Sequence, residues 1–176
     1  MHPPASLFIP RLFLAAFHRV ITHPRQVVVW SAASGDAEAH LKAHNGPVKG
    51  AVWDPVGRFL ASQGDDKRVL IWAVDTWTLH AVIEEPFEGM GIMSTLFLRP
   101  AWSADGSGLV LAHARDSGLD VATCVDRETF SKARHFVGHK KPVTCCREWA
   151  ILPIRTCSFF FVVSVSRAAA AFILLS

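Results

Sequence analysis

Between residues 27 and 146 the apolar positions come in short runs broken by turn residues. VVVW at 27–30 and VLIW at 69–72 are β-branched runs that each end on a tryptophan. In the best-defined stretch, HNGPVKGAVWDPVGRFLASQGDDKRVLIW (44–72), an extended segment leads to Trp53 and WDPVG makes a turn. FLASQ then makes a second strand, Asp65-Asp66 turns the chain again, and VLIW makes a third. Runs this short, bounded by Gly, Pro and Asp, predict strands.

The runs repeat. Trp30 and Trp72 lie 42 residues apart, within the period of about 40–45 residues of a four-stranded propeller blade of the WD-repeat type. Trp53-x-x-x-Gly57-x-x-Leu60 recurs as Trp102-x-x-x-Gly106-x-x-Leu109, and His44-x-x-Pro47-Val48 as His139-x-x-Pro142-Val143. The longer second spacing fits an insertion at about 84–95, EEPFEGMGIMST, which reads as a loop. The expected fold is therefore all-β: a partial WD40 β-propeller of about two to three blades with non-repeat extensions at both ends. The expected units are a non-repeat segment (1–26), the repeat region (27–146) and an apolar non-repeat tail (147–176).

The chain has 176 residues, enough for a domain with a real core. Lys and Arg exceed Asp and Glu by 18 to 15, too small an excess to argue for nucleic acid or an anionic membrane by bulk charge. The four cysteines, Cys124, Cys145, Cys146 and Cys157, form no C-x-x-C pair and have no histidine at metal-ligand spacing. This predicts no metal site and no disulfide framework, and fits a reducing compartment.

Four polar residues of the 44–72 unit are placed to meet: His44, Ser62, Asp66 and Trp72. Asp66 can accept from one imidazole nitrogen, Ser62 can bridge, and the Trp72 indole supplies the last donor, so every buried polar atom finds a partner. The spacing is that of a blade and there is no nucleophile elbow, so the set reads as structural and not as a hydrolase triad. The neighbouring units lack it: Pro24 stands where Asp would, and Ala112 and Ala122 replace the Ser and Trp. Lys49, Arg58, Lys67 and Arg68 are candidate basic rim contacts, with Lys140-Lys141 a further basic pair. Cys145-Cys146 reads as packing. No catalytic residue, phosphate-cradling loop or cofactor site is indicated.

The ends carry other signals. LFIPRLFLAAF (7–17) resembles a short targeting segment interrupted by Pro10 and Arg11. Residues 158–176 are apolar with a single charge, Arg167, close to the length of a membrane span.

The wording of the blades resembles the HIRA (histone regulator) family beyond a generic WD repeat. The residues that carry this are Val48-Lys49-Gly50, Trp53-Asp54-Pro55-Val56-Gly57, Ala61-Ser62-Gln63 and Asp65-Asp66. Pro86-Phe87, Trp102-Ser103-x-Asp105-Gly106, Ala112-His113-Ala114 and Phe136-Val137-Gly138-His139-Lys140 follow in order. The resemblance implies a non-enzymatic scaffold, in a nuclear histone chaperone complex for replication-independent nucleosome assembly and transcriptional repression. It implies ubinuclein-like proteins and histones as partners, chromatin contacted indirectly, and no small-molecule substrate. Two other readings stand beside it: a WD-repeat interaction adaptor such as a ubiquitin-ligase substrate receptor, and a protein tethered to a membrane through 158–176.

Overall fold

A computed structural model describes residues 18–91, 95–138, 141–148, 160–163 and 170–172. The expectations that rest on residues 7–17, on His139-Lys140 and on Cys157 lie outside them. The described chain is all-β and forms four antiparallel sheets in sequence order, a partial propeller. Strands β1 (His18–His23), β2 (Gln26–Ser31) and β3 (Ala37–Leu41) make the first sheet. β4 (Val48–Trp53), β5 (Phe59–Gly64), β6 (Val69–Ala73) and β7 (Thr78–Ile83) make a complete blade. β8 (Ala101–Trp102), β9 (Gly108–Asp116), β10 (Leu119–Asp126) and β11 (Lys132–Phe136) make another. β12 (Cys145–Glu148), β13 (Phe160–Val163) and β14 (Ala170–Phe172) make the last.

Period-2 alternation explains why the blades stack. Along β6, Val69 and Ile71 face the third sheet while Leu70 and Trp72 face the first. A strand buried on both sides has no polar face, and the sequence obliges with VLIW. Val27, Val29 and Leu41 meet Leu60, Leu70 and Trp72 in one inter-blade core, and Phe59, Ile71, Leu109, Leu111 and Val125 meet in the next. The far face of the third sheet carries Val110, Ala112, Ala122 and Phe136, covered by Val143 and Cys146.

The turns follow residue chemistry. Gly57 (φ 76°) and Gly106 (φ 72°) occupy the same position in the β4–β5 and β8–β9 turns, where a left-handed residue is required. The β9–β10 hairpin turns on Ser117 (φ 49°) and Gly118 (φ 83°), both left-handed as a two-residue hairpin demands.

Three segments carry structure that the sequence pattern does not single out. The insertion read as a loop contains a 3₁₀ turn, Glu85–Phe87, and sends Phe87 and Met90 into the core between the second and third sheets. Phe87 is 1 % exposed; burial of an aromatic overrides the loop-like composition around it. β1 falls in the segment read as non-repeat, paired to β2 from His18↔Ser31 to His23↔Gln26, with Val20 packed on the first core. In the segment read as a membrane span, β13 pairs β12 (Cys145↔Val163 to Glu148↔Phe160) and β14 pairs β13. No helix among the described residues is long and apolar enough to cross a membrane.

Candidate functional site

One end of the complete blade is organised by the loop into β4 and the β5–β6 turn. His44 Nδ1 lies 3.1 and 3.0 Å from the two Asp66 carboxylate oxygens, and its Nε2 lies 2.9 Å from Ser62 Oγ. The Trp72 indole N–H donates to the same Ser62 oxygen at 2.9 Å, and the Asn45 amide donates to Asp66 at 2.8 Å. One proton arrangement satisfies every member: His44 Nδ1–H donates to Asp66, Ser62 O–H donates to His44 Nε2, and Ser62 accepts from Trp72. The connectivity is that of a serine–histidine–aspartate triad, but His44 and Ser62 are buried and the serine oxygen is already engaged by Trp72. A nucleophile must be open to substrate; here the set ties a loop, two strands and a turn together.

Replacing Ser62 by alanine strands the Trp72 N–H and the His44 Nε2 inside the blade, an expected loss of about 1–3 kcal/mol. Urea unfolding followed by tryptophan fluorescence reads it; an unchanged midpoint would mean that the four residues do not act as a unit.

The opposite end holds a second polar assembly, built on the WDPVG turn. Asp54 accepts from the backbone N–H of Val56 (2.9 Å), Arg58 (3.0 Å) and Phe59 (3.3 Å). It also accepts both arms of the Arg127 guanidinium, at 2.7 and 2.6 Å. Arg127 stands in the β10–β11 turn of the next blade, donates to the Gly106 carbonyl at 2.9 Å, and lies over the Phe59 and Trp102 rings at 5.2 and 5.4 Å. The fork geometry suits a guanidinium and a carboxylate, and the pair clamps the two blades across their shared core. Ser103 stands where the next turn would have an aspartate, and there Asp105 takes over the local capping of Ser103 and Ser107.

Burial alone would raise the Asp54 carboxyl, but the Arg127 hydrogen bonds and the backbone amides outweigh it, and the group sits below the usual carboxylate range. Asp66 behaves likewise: burial opposes, His44 and Asn45 prevail, and the value falls. A folded-state value below the unfolded one means stabilisation that is full above about pH 4 and is lost as pH falls through the folded value. Stability is therefore expected to be flat from about pH 7 to 5 in this respect and to decline below about 4. Titrating the urea midpoint of wild type and Asp54→Asn checks it: the variant should start lower and lose less on acidification.

The four candidate rim cations do not form one patch. Arg58 sits at the WDPVG end beside the Phe59 ring, whereas Lys67 and Arg68 lie at the far end of β5. The other three are engaged within the chain: Lys49 with Asp65 at 2.5 Å and with the Thr95 carbonyl, Arg68 with Glu84 at 2.6 Å, and Lys67 with the Met90 carbonyl. Spacing in sequence put them together; strand alternation and a six-residue strand put them apart. Cys124 and Cys146 are buried thiols, and desolvation pushes both up and away from the reactive thiolate. Among the described residues, no group of three His, Cys, Asp or Glu is placed to hold a metal ion.

Arg127 is the important residue that sequence reading missed. Its unit lacks the histidine, serine, aspartate and tryptophan set of the complete blade, and its partner lies 73 residues away; the one clue was an aspartate at the second position of WDPVG.

Comparison with known proteins agrees with this geometry. Residues 35–73 match the family described as WD domain, G-beta repeat, the span of β3 to β6. "Protein HIR1" of Mycosarcoma maydis is 41% identical over 119 residues, covering 67% of this chain and 12% of that protein. "Protein HIR1" of Cryptococcus neoformans var. neoformans serotype D (strain JEC21) is 39% identical over 117 residues, 66% of this chain and 13% of its own length. "Histone transcription regulator slm9" of Schizosaccharomyces pombe is 35% identical over 105 residues, 60% of this chain and 13% of its own length. The chain thus spans about one-eighth of the length of these curated relatives. Its WD-repeat part is a WD region of the HIRA family, the family of HIR1.

Proposed function

We propose that this chain is a non-enzymatic WD-repeat scaffold of a chromatin-regulating complex in the nucleus. The finer reading is a subunit of a histone chaperone complex that assembles nucleosomes outside replication, with ubinuclein-like proteins and histones as partners. The observation that carries it is the identity of 39–41% with HIR1 proteins over two-thirds of the chain. Supporting it, the polar constellations at both ends of the complete blade are closed on themselves. Their donors and acceptors are spent on holding loops and blades, which is the economy of a binding platform and not of a reaction centre.

Affinity capture with the full chain from nuclear extract, read by mass spectrometry, tests the reading. Enrichment of histones and histone-chaperone subunits is expected. Enrichment of ubiquitin-ligase components without them would support the adaptor reading in its place, and recovery with membrane proteins resistant to carbonate would support the tethered one.

A further inference from the structure

Between the second and third blades the chain runs along a strap, residues 95–100, that is fixed on both sides. Leu98 N–H donates to the Lys49 carbonyl of β4 at 3.4 Å, Arg99 N–H to the Thr144 carbonyl at 2.9 Å, and Cys146 N–H to the Arg99 carbonyl at 2.8 Å. A single parallel bridge, Arg99↔Cys145, places the strap beside β12. The two segments enclose a groove of about 630 Å³ lined by Thr95, Leu96, Phe97, Arg99, Thr144, Cys145 and Arg147, a volume within the range of ligand sites.

Three properties of this groove point to one class of occupant. Its apolar wall is open: Leu96 is 82 % exposed and Phe97, next to it, 53 %, an adjacent pair that an apolar side chain of a partner could cover. Its charge is of one sign. The groove and the cavity continuous with it along β1 and β4 are lined by Lys49, Arg99 and Arg147 and by no carboxylate. Lys49 is paired with Asp65, whereas among the described residues neither Arg99 nor Arg147 has a carboxylate within salt-bridge distance. The Phe97 ring takes one face of the Arg99 guanidinium at 4.8 Å, which leaves the edge N–H groups to donate outward. Finally, the buried hydroxyls of Thr95 and Thr144 have no hydrogen-bond partner among the described residues.

The spacing says more. Arg147 is two residues beyond Cys145 on the same face of β12, and Arg99 is level with Cys145. The Cα positions of the two arginines are therefore offset by about 7 Å along the strand direction, the rise of two extended residues. That offset matches carboxylates at alternate positions of an extended chain. We propose that the groove docks an extended acidic peptide segment of a partner protein, two carboxylates at alternate positions meeting Arg99 and Arg147 and an apolar residue in the same alternation packing on Leu96 and Phe97. A nucleic-acid strand is the poorer fit, since Phe97 is the one aromatic ring among the groove's lining residues and the Arg99 guanidinium already lies over it, which leaves little platform for base stacking. This rests on the scaffold reading only in taking a protein as partner.

Fluorescence anisotropy with the full chain tests it, using the labelled peptide Leu-Ser-Glu-Ser-Glu-Ser-Leu, the same peptide with lysines for the glutamates, and a short oligothymidylate. The acidic peptide should bind alone and weaken with salt. Arg99→Glu and Arg147→Glu should each raise its Kd about tenfold or more, Leu96→Ser should weaken it, and Lys132→Glu on β11 should leave it unchanged. Bound peptide should also slow alkylation of Cys145 in the wild-type chain, a readout that needs no variant. Absence of binding, equal binding of the lysine peptide, tighter binding of the oligothymidylate, or insensitivity to both arginine variants would each overturn the proposal. Any of these leaves the capture experiment above untouched, so the two readings fail separately.

Discussion

Replacing Arg127 by alanine is expected to cost about 3–5 kcal/mol of stability, the range for breaking a buried pair by removing one partner. The reason is the state of what remains. The Asp54 side chain is 0% exposed and that of Arg127 10%, so the variant leaves a desolvated carboxylate with only backbone donors around it. It also takes away the cation that lies over Phe59 and Trp102 and the donor to the Gly106 carbonyl. Arg127→Lys should recover only part of the loss, because an ammonium cannot reach both carboxylate oxygens and pack flat against two rings. A double-mutant cycle with Asp54→Ala separates the pair from the packing: the double variant should lose clearly less than the sum of the singles. A loss for Arg127→Ala below about 1 kcal/mol, the worth of an ordinary surface ion pair, would show that the blades do not depend on this clamp.

Gly50→Ala is the second large effect. A Cβ built on Gly50 would stand 1.7 Å from the Leu98 carbonyl oxygen and 2.8 Å from its carbon. Both atoms are backbone, so no side chain can swing aside. Either β4 or the strap must move, and Leu98, which is 0 % exposed in the inter-blade core, moves with the strap. The cost should reach the upper end of overpacking, about 3 kcal/mol. It should appear with loss of the near-ultraviolet signal of Trp53 and Trp102, which end β4 and β8, the strands on either side of the strap. If Gly50→Ala unfolds at the wild-type midpoint, the strap does not lie against β4 in solution. In Val48-Lys49-Gly50, part of the wording that resembles the HIRA family, the glycine thus has a physical cause: two backbones pass within contact of one another.

What could be read from sequence was local. Strands β4, β5 and β6 were legible because each is a short apolar run between turn residues. The grouping of His44, Ser62, Asp66 and Trp72 was legible because all four lie within one unit, where turn positions fix who can meet whom. Contacts between units carry no such period. Arg127 is one arginine in an unremarked turn, and only the fold brings it over Asp54. Phe87 and Met90 sit in a stretch whose Glu and Gly content says loop, although burial against Leu109 and Leu111 decides their place. β1 owes its strand to β2, and β13 and β14 owe theirs to β12; a strand whose own pattern is weak is specified by its neighbour. The candidate basic residues are close in sequence, yet Arg58 and the Lys67-Arg68 pair stand at opposite ends of β5.

The two polar assemblies of the complete blade are closed on themselves and the groove beside the strap is left open, so partner binding should depend on the blades being docked. The direct measurement is a titration of a purified ubinuclein-like histone-chaperone subunit onto the full chain, as wild type and as Arg127→Ala, across the thermal unfolding of each. The account predicts saturable binding by the wild type that disappears in step with its melting, and at correspondingly lower temperature for the variant. A folded wild-type chain that shows no saturable binding, or a variant that binds undiminished above its own melting temperature, would contradict it.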